Sequence, residues 1–194
     1  MSDINQEKLK KSTRNSTSAK KISYCALFVV LMIVSAFIKI PFPLVPLTFQ
    51  TVVAVLAGLT LGAWWGAAAV FVYVFMGLIG LPVFAGGGGF AYVLQPSFGY
   101  IVGFVAAAFF AGSVRGNKPF SQGKCILAAL VGFAVNYAVG MPYFAVIWHF
   151  YLGNGNLLGA IVTYNLLYMP KDLVLCFLSA LLAYRLRFLY SERL

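Results

Sequence analysis

The chain carries at residues 22–40 the stretch ISYCALFVVLMIVSAFIKI, which is 19 residues long and contains a single charged side chain, Lys39. A helix of about 20 apolar residues is long enough to cross the hydrocarbon core of a bilayer. Similar apolar runs recur along the chain, which is 62% hydrophobic and only 9% charged. Soluble domains carry about 25% charged residues. The composition therefore excludes a soluble globular monomer and predicts a polytopic helical membrane protein.

Six apolar runs predict an all-α integral membrane protein with six transmembrane helices. Their approximate bounds are 22–40, 47–61, 66–81, 97–114, 125–150 and 159–186. The turn Gly62-Ala63-Trp64-Trp65 separates the short second and third helices, and its tryptophans suit a membrane interface. Residues 22–186 form the predicted membrane domain. Residues 1–21 are predicted to be a polar, mobile tail to which no fold is assigned, and residues 187–194 a short basic end.

The basic residues indicate the orientation of the chain in the membrane. Twelve of the 14 lysines and arginines fall in the tail, the loop after the fourth helix and the C-terminal end. Cytoplasmic loops carry an excess of Lys and Arg, so both termini are predicted to be cytoplasmic. The net charge of +10 is then explained by topology, and no nucleic-acid partner is predicted. The loops at 41–46, 82–96 and 151–158 are predicted to be external.

Asp172 is the one carboxylate of the sequence that falls within a predicted helix. An ionisable residue inside the membrane marks a functional site by default. Tyr164, Asn165 and Tyr168 precede it at spacings of eight, seven and four, which puts them on its helical face. Two other interpretations stay open: a structural ion pair with Lys171 at a proline kink, and a role in proton coupling.

Polar and aromatic residues in or near the external half of the helices suit an apolar pocket with a few directed polar groups, as a small organic ligand needs. They are Thr48, Gln50, Gln95, Ser97, Tyr100, Asn136, Tyr137, Phe84, Tyr92 and Trp148. No metal site is predicted, because the three cysteines stand singly and no paired acidic site is present. The glycine run at 86–89 lacks the Gly-Lys-Ser/Thr ending of a phosphate loop, so ATP hydrolysis by this chain is not expected.

The segment between the third and fourth helices has a distinctive pattern. It reads GLPVFAGGGG at 80–89, followed by Tyr92 and by PSFGY at 96–100. It is too glycine-rich for a helix and too apolar for a water-exposed loop, so we expect it to fold back over the protein. The pattern closely resembles the biotin-binding S component, the BioY family, of energy-coupling factor (ECF) transporters. KIP at 39–41, PLTFQ at 46–50, Asn136-Tyr137, GMP at 140–142 and PKD at 170–172 extend the resemblance.

The resemblance implies a six-helix S component with a glycine-rich external loop. Such a component captures biotin from outside and docks on a transmembrane coupling protein, EcfT, which carries two ABC ATPases. It implies no enzymatic activity and no cofactor in this chain, because the partner ATPases use the ATP. Docking in this superfamily uses an Ala-x-x-x-Ala pattern on the first helix, to which Ala26 corresponds, whereas Val30 stands at the second alanine position.

The resemblance also implies a set of biotin contacts. Asp172, Asn165 and Asn136 could serve the ureido ring, and Phe84 and Tyr92 could supply walls and a lid. Three groups could bind the carboxylate, and the choice stays open: Lys39, Lys171 or the backbone amides of residues 86–89. Leu175 stands where the family pattern has a lysine. The predicted substrate-binding residues are Asp172, Lys171, Asn165, Tyr164, Asn136, Tyr137, Phe84, Gly86, Gly87, Gly88, Tyr92 and Gln50.

Two other functions fit the composition. A self-sufficient secondary transporter could use Asp172 as its proton carrier, although no internal repeat is evident. A membrane-embedded enzyme needs a nucleophile with a base or a metal cluster, and the sequence offers neither.

Overall fold

The computed structural model describes residues 2–40, 45–116, 121–153 and 155–186, with side chains from residue 18 onward. This part of the chain is mostly helical. The helices are α1 (Ser2–Phe37), α2 (Gln50–Leu61), α3 (Ala63–Leu78), α4 (Phe98–Arg115), α5 (Gln122–Val146), α6 (Leu157–Ile161) and α7 (Met169–Arg185). Strands β1 (Lys39–Ile40) and β2 (Leu47–Thr48) form an antiparallel pair between α1 and α2, in which Lys39 faces Thr48. The predicted basic end at 187–194 lies outside the described residues.

Four helical stretches of the described chain are long and apolar enough to cross a membrane. They are Ser18–Phe37, Phe98–Arg115, Gln122–Tyr151 and Leu157–Arg185. The shorter apolar helices α2 and α3 have 12 and 16 residues. At 1.5 Å per residue they extend about 18 and 24 Å, less than the roughly 30 Å of a hydrocarbon core. The membrane class is confirmed, whereas the count of six crossings stays a prediction.

Three predicted boundaries differ from the structure. Ile40 and Leu47, predicted at helix ends, pair with each other in the β-hairpin instead. The predicted Gly62–Trp65 turn contracts to Gly62, because its positive φ of 85° lets the chain reverse at one residue and α3 begins at Ala63. The predicted sixth helix is broken into α6, a π-helical turn at Val162–Leu166, and α7.

The N-terminal segment also differs from its prediction. α1 begins at Ser2, so the backbone is helical through most of residues 1–21, the segment that the sequence predicts to be a polar, mobile tail. Lysine is frequent in that stretch, and lysine has good helix propensity. The mobility of the segment stays a prediction.

Small residues allow α4 to lie close to its neighbours. α4 packs on α2, α3 and α5. A Cβ atom on Gly58 of α2 would lie 2.1 Å from the carbonyl oxygen of Ala108 on α4, and one on Gly103 of α4 would lie 2.5 Å from Oδ1 of Asn136 on α5. Only glycine fits at these crossings. These small residues thus allow the close helix approach that is common in membrane bundles.

The segment between α3 and α4 folds back against α3. Phe84 is fully buried, and its backbone N–H and C=O both bond to Gly87. Gly87 and Gly89 have φ values of 120° and 102°, a region that other residues rarely adopt. A Cβ on Gly88 would lie 2.0 Å from the carbonyl oxygen of Leu81. The glycines thus provide the backbone angles and the space that this tight turn needs, while its external location stays a prediction.

Candidate ligand-binding site

A cavity of about 540 Å³, including the solvent-open space at its mouth, lies where the β-hairpin, the glycine-rich segment and the start of α7 meet. Apolar and aromatic side chains form most of the wall, with polar groups from α2, α4, α5 and α7 among them. The lining residues are Val45, Pro46, Leu47, Thr48, Gln50, Thr51, Ala85, Tyr92, Ser97, Tyr100, Ile101, Phe104, Tyr137, Tyr164, Tyr168, Lys171 and Asp172.

Asp172 reaches the cavity because the helix breaks just before it. Pro170 lies at the start of α7, where its missing N–H costs nothing, and Asp172 falls in the first helical turn. Its backbone N–H donates to the carbonyl of Tyr168 at 3.1 Å. A carboxylate is favoured at this end of a helix by the helix dipole. Pro170 thus stands at the helix start that presents the Asp172 carboxylate to the cavity.

Donors from three elements surround the Asp172 carboxylate. Tyr137 of α5 donates to Oδ2 at 2.8 Å, and Thr51 of α2 donates to the same oxygen at 3.4 Å. Lys171 Nζ lies 2.7 Å from Oδ1 as an ion pair, without hydrogen-bond alignment. The Asp172 side chain is only 9% exposed. A buried charge needs such partners, and Oδ1 keeps the capacity to accept a further hydrogen bond.

Lys171 joins the carboxylate to the β-hairpin. Its ammonium group donates to the carbonyl of Thr48 at 2.7 Å and lies 5.5 Å from the centre of the Phe49 ring. The side chain is 25% exposed and lines the cavity. The ion pair predicted for Lys171 and Asp172 is thus present, and it stands in the cavity wall. Lys39 does not line the cavity; its ammonium group donates to the carbonyl of Ala85, which does.

The α2 side of the cavity carries an amide. Gln50 is 3% exposed, and its Nε2 donates to the hydroxyl of Tyr73 on α3. Its Oε1 accepts from Oγ1 of Thr48 at 3.2 Å. These contacts fix the orientation of the Gln50 side chain against the wall of the cavity.

The predicted site residues divide into two groups. Asp172, Lys171, Tyr164, Tyr137, Tyr92 and Gln50 line one cavity. Asn136 and Asn165 are 1% and 0% exposed and lie behind that wall. Phe84 packs edge-on against Tyr73 with ring centroids 5.5 Å apart, and it fills the space over Gly77. Gly86, Gly87 and Gly88 do not line the cavity, and the neighbouring Ala85 does.

The backbone amides of the glycine run are partly occupied. The N–H of Gly87 bonds to Phe84, and that of Gly89 bonds to Gly77 at 2.7 Å. Among the predicted carboxylate binders, Lys171 is thus the group with a charged atom in the cavity wall.

Thr51 is a polar contact of the site that is not among the predicted residues. It directly follows Gln50 at the start of an otherwise apolar helix, and both side chains are buried. This pair of adjacent polar residues at the helix start is the sequence signal that could have identified Thr51 as a site residue. The Asp172 contact itself joins residues 121 positions apart, which spacing rules do not predict.

Within the described ranges, no three His, Cys, Asp or Glu side chains come together as metal ligands do. The arrangement instead offers a carboxylate acceptor, an ammonium group and aromatic walls, which is the composition of a site for a small polar organic molecule.

Comparison with known proteins assigns the chain to a family. The sequence model of the BioY family matches residues 7–192. The chain belongs to the BioY family. A probable biotin transporter BioY from Lysinibacillus sphaericus is 42% identical over 164 residues, which cover 83% of each chain. The biotin transporter BioY of Thermotoga maritima is 33% identical over 175 residues, covering 90% of this chain and 99% of that one.

A solved structure gives the same result for the fold of this BioY protein. The crystal structure of the S component for biotin from an ECF-type ABC transporter matches with a TM-score of 0.76 and 27% sequence identity. The match covers 91% of this chain and 97% of that chain. The resemblance inferred from the glycine-rich segment is therefore confirmed at the level of family and fold.

Proposed function

We propose that this BioY protein is the biotin-binding S component of an ECF-type ABC importer. The observation that carries the proposal is the cavity at Asp172, which combines a buried acceptor, a cation and aromatic walls in a chain whose relatives are named biotin transporters. Biotin offers a ureido ring with N–H donors, an apolar thiophane ring and a carboxylate. Each of these three parts has a complementary group in the cavity.

The proposed orientation follows from charge and hydrogen bonding. Asp172 accepts from a ureido N–H, because Oδ2 is already bonded to Tyr137 and Thr51 while Oδ1 has acceptor capacity left. Tyr92 and Phe104 pack against the thiophane ring and the tail. To bind the carboxylate at the other end of the ligand, Lys171 swings its ammonium group away from Oδ1 of Asp172, 2.7 Å from it, and takes the place of the lysine that this chain lacks at position 175. Its partial exposure leaves room for this contact.

The membrane arrangement belongs to the same proposal. Six helices cross the bilayer, including the short α2 and α3, and both termini are cytoplasmic in the cell membrane. The cavity then opens to the outside, between loops that carry few basic residues. Ala26 and Val30 lie on an exposed face of α1, and Val30 is 54% exposed. We assign the docking of EcfT to this face, with transport energy coming from the two ABC ATPases.

Uptake into proteoliposomes tests the proposal. Vesicles holding the purified chain, alone or with the EcfT–ATPase complex, are given labelled biotin with internal ATP or with a proton gradient. The expected result is accumulation that needs both the complex and ATP. Accumulation by the isolated chain that collapses with an uncoupler would contradict the S-component assignment and favour the proton-coupled transporter.

A further inference from the structure

Ser97 stands at the start of α4 and lines the cavity with a hydroxyl that the helix does not use. The residue is only 9% exposed. A serine at a helix start usually has an extended backbone, and its side chain accepts from the N–H groups of the first turn. Ser97 instead has a φ of −75° and a ψ of −14°, and its side chain makes no capping bond. Within the described part of the chain, the Ser97 hydroxyl is thus left without a hydrogen-bond partner.

The cavity lies where three helices begin. Gln50 is the first residue of α2, Ser97 precedes α4, and Asp172 falls in the first turn of α7, and all three residues line the cavity. The N-terminal end of a helix carries a partial positive charge, which stabilises a nearby anion. The first turn of α7 holds Asp172, whereas the first turns of α2 and α4 hold no acidic residue. The positive end of α4, a helix of 18 residues, therefore meets the cavity without an acidic side chain in its own first turn.

Ser97 is set apart from Asp172 along the cavity wall. Tyr137 bonds to the Asp172 carboxylate at 2.8 Å, and its ring centroid lies 5.6 Å from that of Tyr100. Ser97 precedes Tyr100 by three residues, about one turn of α4. The contacts thus lead from Asp172 to Ser97 through two tyrosines. A ligand that places one end at Asp172 meets Ser97 with a different part.

We infer that the Ser97 hydroxyl donates a hydrogen bond to the carboxylate of the ligand, at the positive end of α4. A hydrogen bond to an ionised acceptor is roughly twice as strong as one between neutral groups. A carboxylate has two oxygens, so one takes the Lys171 ammonium group of the proposed function and the other takes the Ser97 hydroxyl. The inference rests on the proposed function, and it makes Ser97 a residue that selects ligands with an anionic tail.

The contact predicts discrimination between an anionic and a neutral tail. In biotinamide the carboxylate is replaced by a carboxamide of similar size, while the rings and the chain are unchanged. The carboxamide has no charge for the start of α4 to stabilise, and it accepts a weaker hydrogen bond from the hydroxyl. The wild-type chain is expected to bind biotin roughly tenfold more tightly than biotinamide, or more.

The test measures the dissociation constants of biotin and biotinamide by titration calorimetry of the purified full chain in detergent. Ser97→Ala is expected to weaken biotin binding roughly tenfold and biotinamide binding only about two- to threefold, so that the preference for biotin falls. Ser97→Thr keeps a hydroxyl and is expected to keep the preference. Ser113→Ala is the matched control on the same helix, because its hydroxyl bonds to the carbonyl of Phe109 at 2.9 Å and the residue does not line the cavity. Both of its affinities are expected to equal those of the wild type.

The outcomes separate a contact to the carboxylate from a structural role. Equal loss of affinity for both ligands in Ser97→Ala would mean that the hydroxyl only supports the cavity wall, and would overturn the inference. Wild-type affinity for biotin in Ser97→Ala would overturn it as well. A folded wild-type chain that binds neither ligand contradicts the proposed function itself, which distinguishes that failure from the failure of the Ser97 contact.

Discussion

Tyr137 donates a 2.8 Å hydrogen bond to Oδ2 of Asp172 and so joins α5 to the first turn of α7 at the wall of the cavity. The bond fixes one oxygen of the carboxylate, and the other oxygen faces Lys171. A carboxylate held in this way is a rigid acceptor for a ligand. Its contribution is open to direct measurement.

Asp172→Asn is expected to weaken biotin binding roughly 10- to 100-fold, the range for a hydrogen bond to a charged group. The amide has no charge and turns an N–H₂ group toward one of the donors around it. Calorimetry measures the affinity. Ser179→Ala is the control on the same helix, since Ser179 is buried and bonds only within α7 in the described structure. Equal affinity of Asp172→Asn and wild type would remove Asp172 from the site.

Thr51→Val is expected to lower biotin affinity about 2- to 10-fold, because it removes a neutral donor to Asp172 at nearly constant volume. Thr60→Val is its matched control on α2, where the hydroxyl bonds to the carbonyl of Leu56 one turn back. Titration of both variants checks the difference. The same loss in the two variants would assign the effect to α2 stability and not to the carboxylate.

Gly87→Ala is expected to destabilise the folded chain by about 1–3 kcal/mol, the usual cost of a strained backbone angle. The φ of Gly87 is +120°, and no atom lies within 4 Å of an added Cβ, so the effect comes from the backbone and not from a clash. Gly155→Ala is the control, because that site is equally open without a positive φ in the disfavoured range. Thermal unfolding in detergent compares the two, and similar midpoints would refute the strain.

Lys39→Met is expected to speed biotin release a few-fold with little change in stability. The ammonium group of Lys39 bonds to the carbonyl of Ala85 and thereby ties the β-hairpin to the glycine-rich segment, both of which border the cavity. Lys20→Met, an exposed lysine on α1, is the control for the loss of charge. Stopped-flow dissociation gives the rates. An unchanged rate would show that this tie does not limit release.

Much of the helical layout could be predicted from apolar runs. The start of α4 at Phe98 and the end of α2 at Leu61 fall within one residue of the predicted bounds. The hairpin could not be predicted, because two-residue strands leave no periodicity and Pro41 and Pro46 indicate only a turn. The π-helical turn before α7 divides one predicted helix into two. It could not be predicted, because its composition does not distinguish it from a regular helix.

The site could be predicted only in part, because spacing along one helix does not show which distant segments contact it. Helical spacing groups Tyr164, Asn165, Tyr168 and Asp172, and all of these except Asn165 line the cavity. It does not show that Phe84 fills the space over Gly77, because that contact depends on how the segment folds back. Nor does it show that Lys171 reaches Thr48, 123 residues away, since a long side chain has many directions available.

In the proposed function, the cavity at Asp172 captures biotin without help from ATP or partners. Titration of the purified chain in detergent with biotin tests it most directly, with riboflavin as the negative control and desthiobiotin, which lacks the thiophane ring, as the weaker ligand. We expect saturable binding of one biotin per chain, reduced in Asp172→Asn and absent for riboflavin. A folded chain that gives no heat with biotin, or that binds it equally well without the Asp172 carboxylate, would contradict the proposed capture of biotin at Asp172.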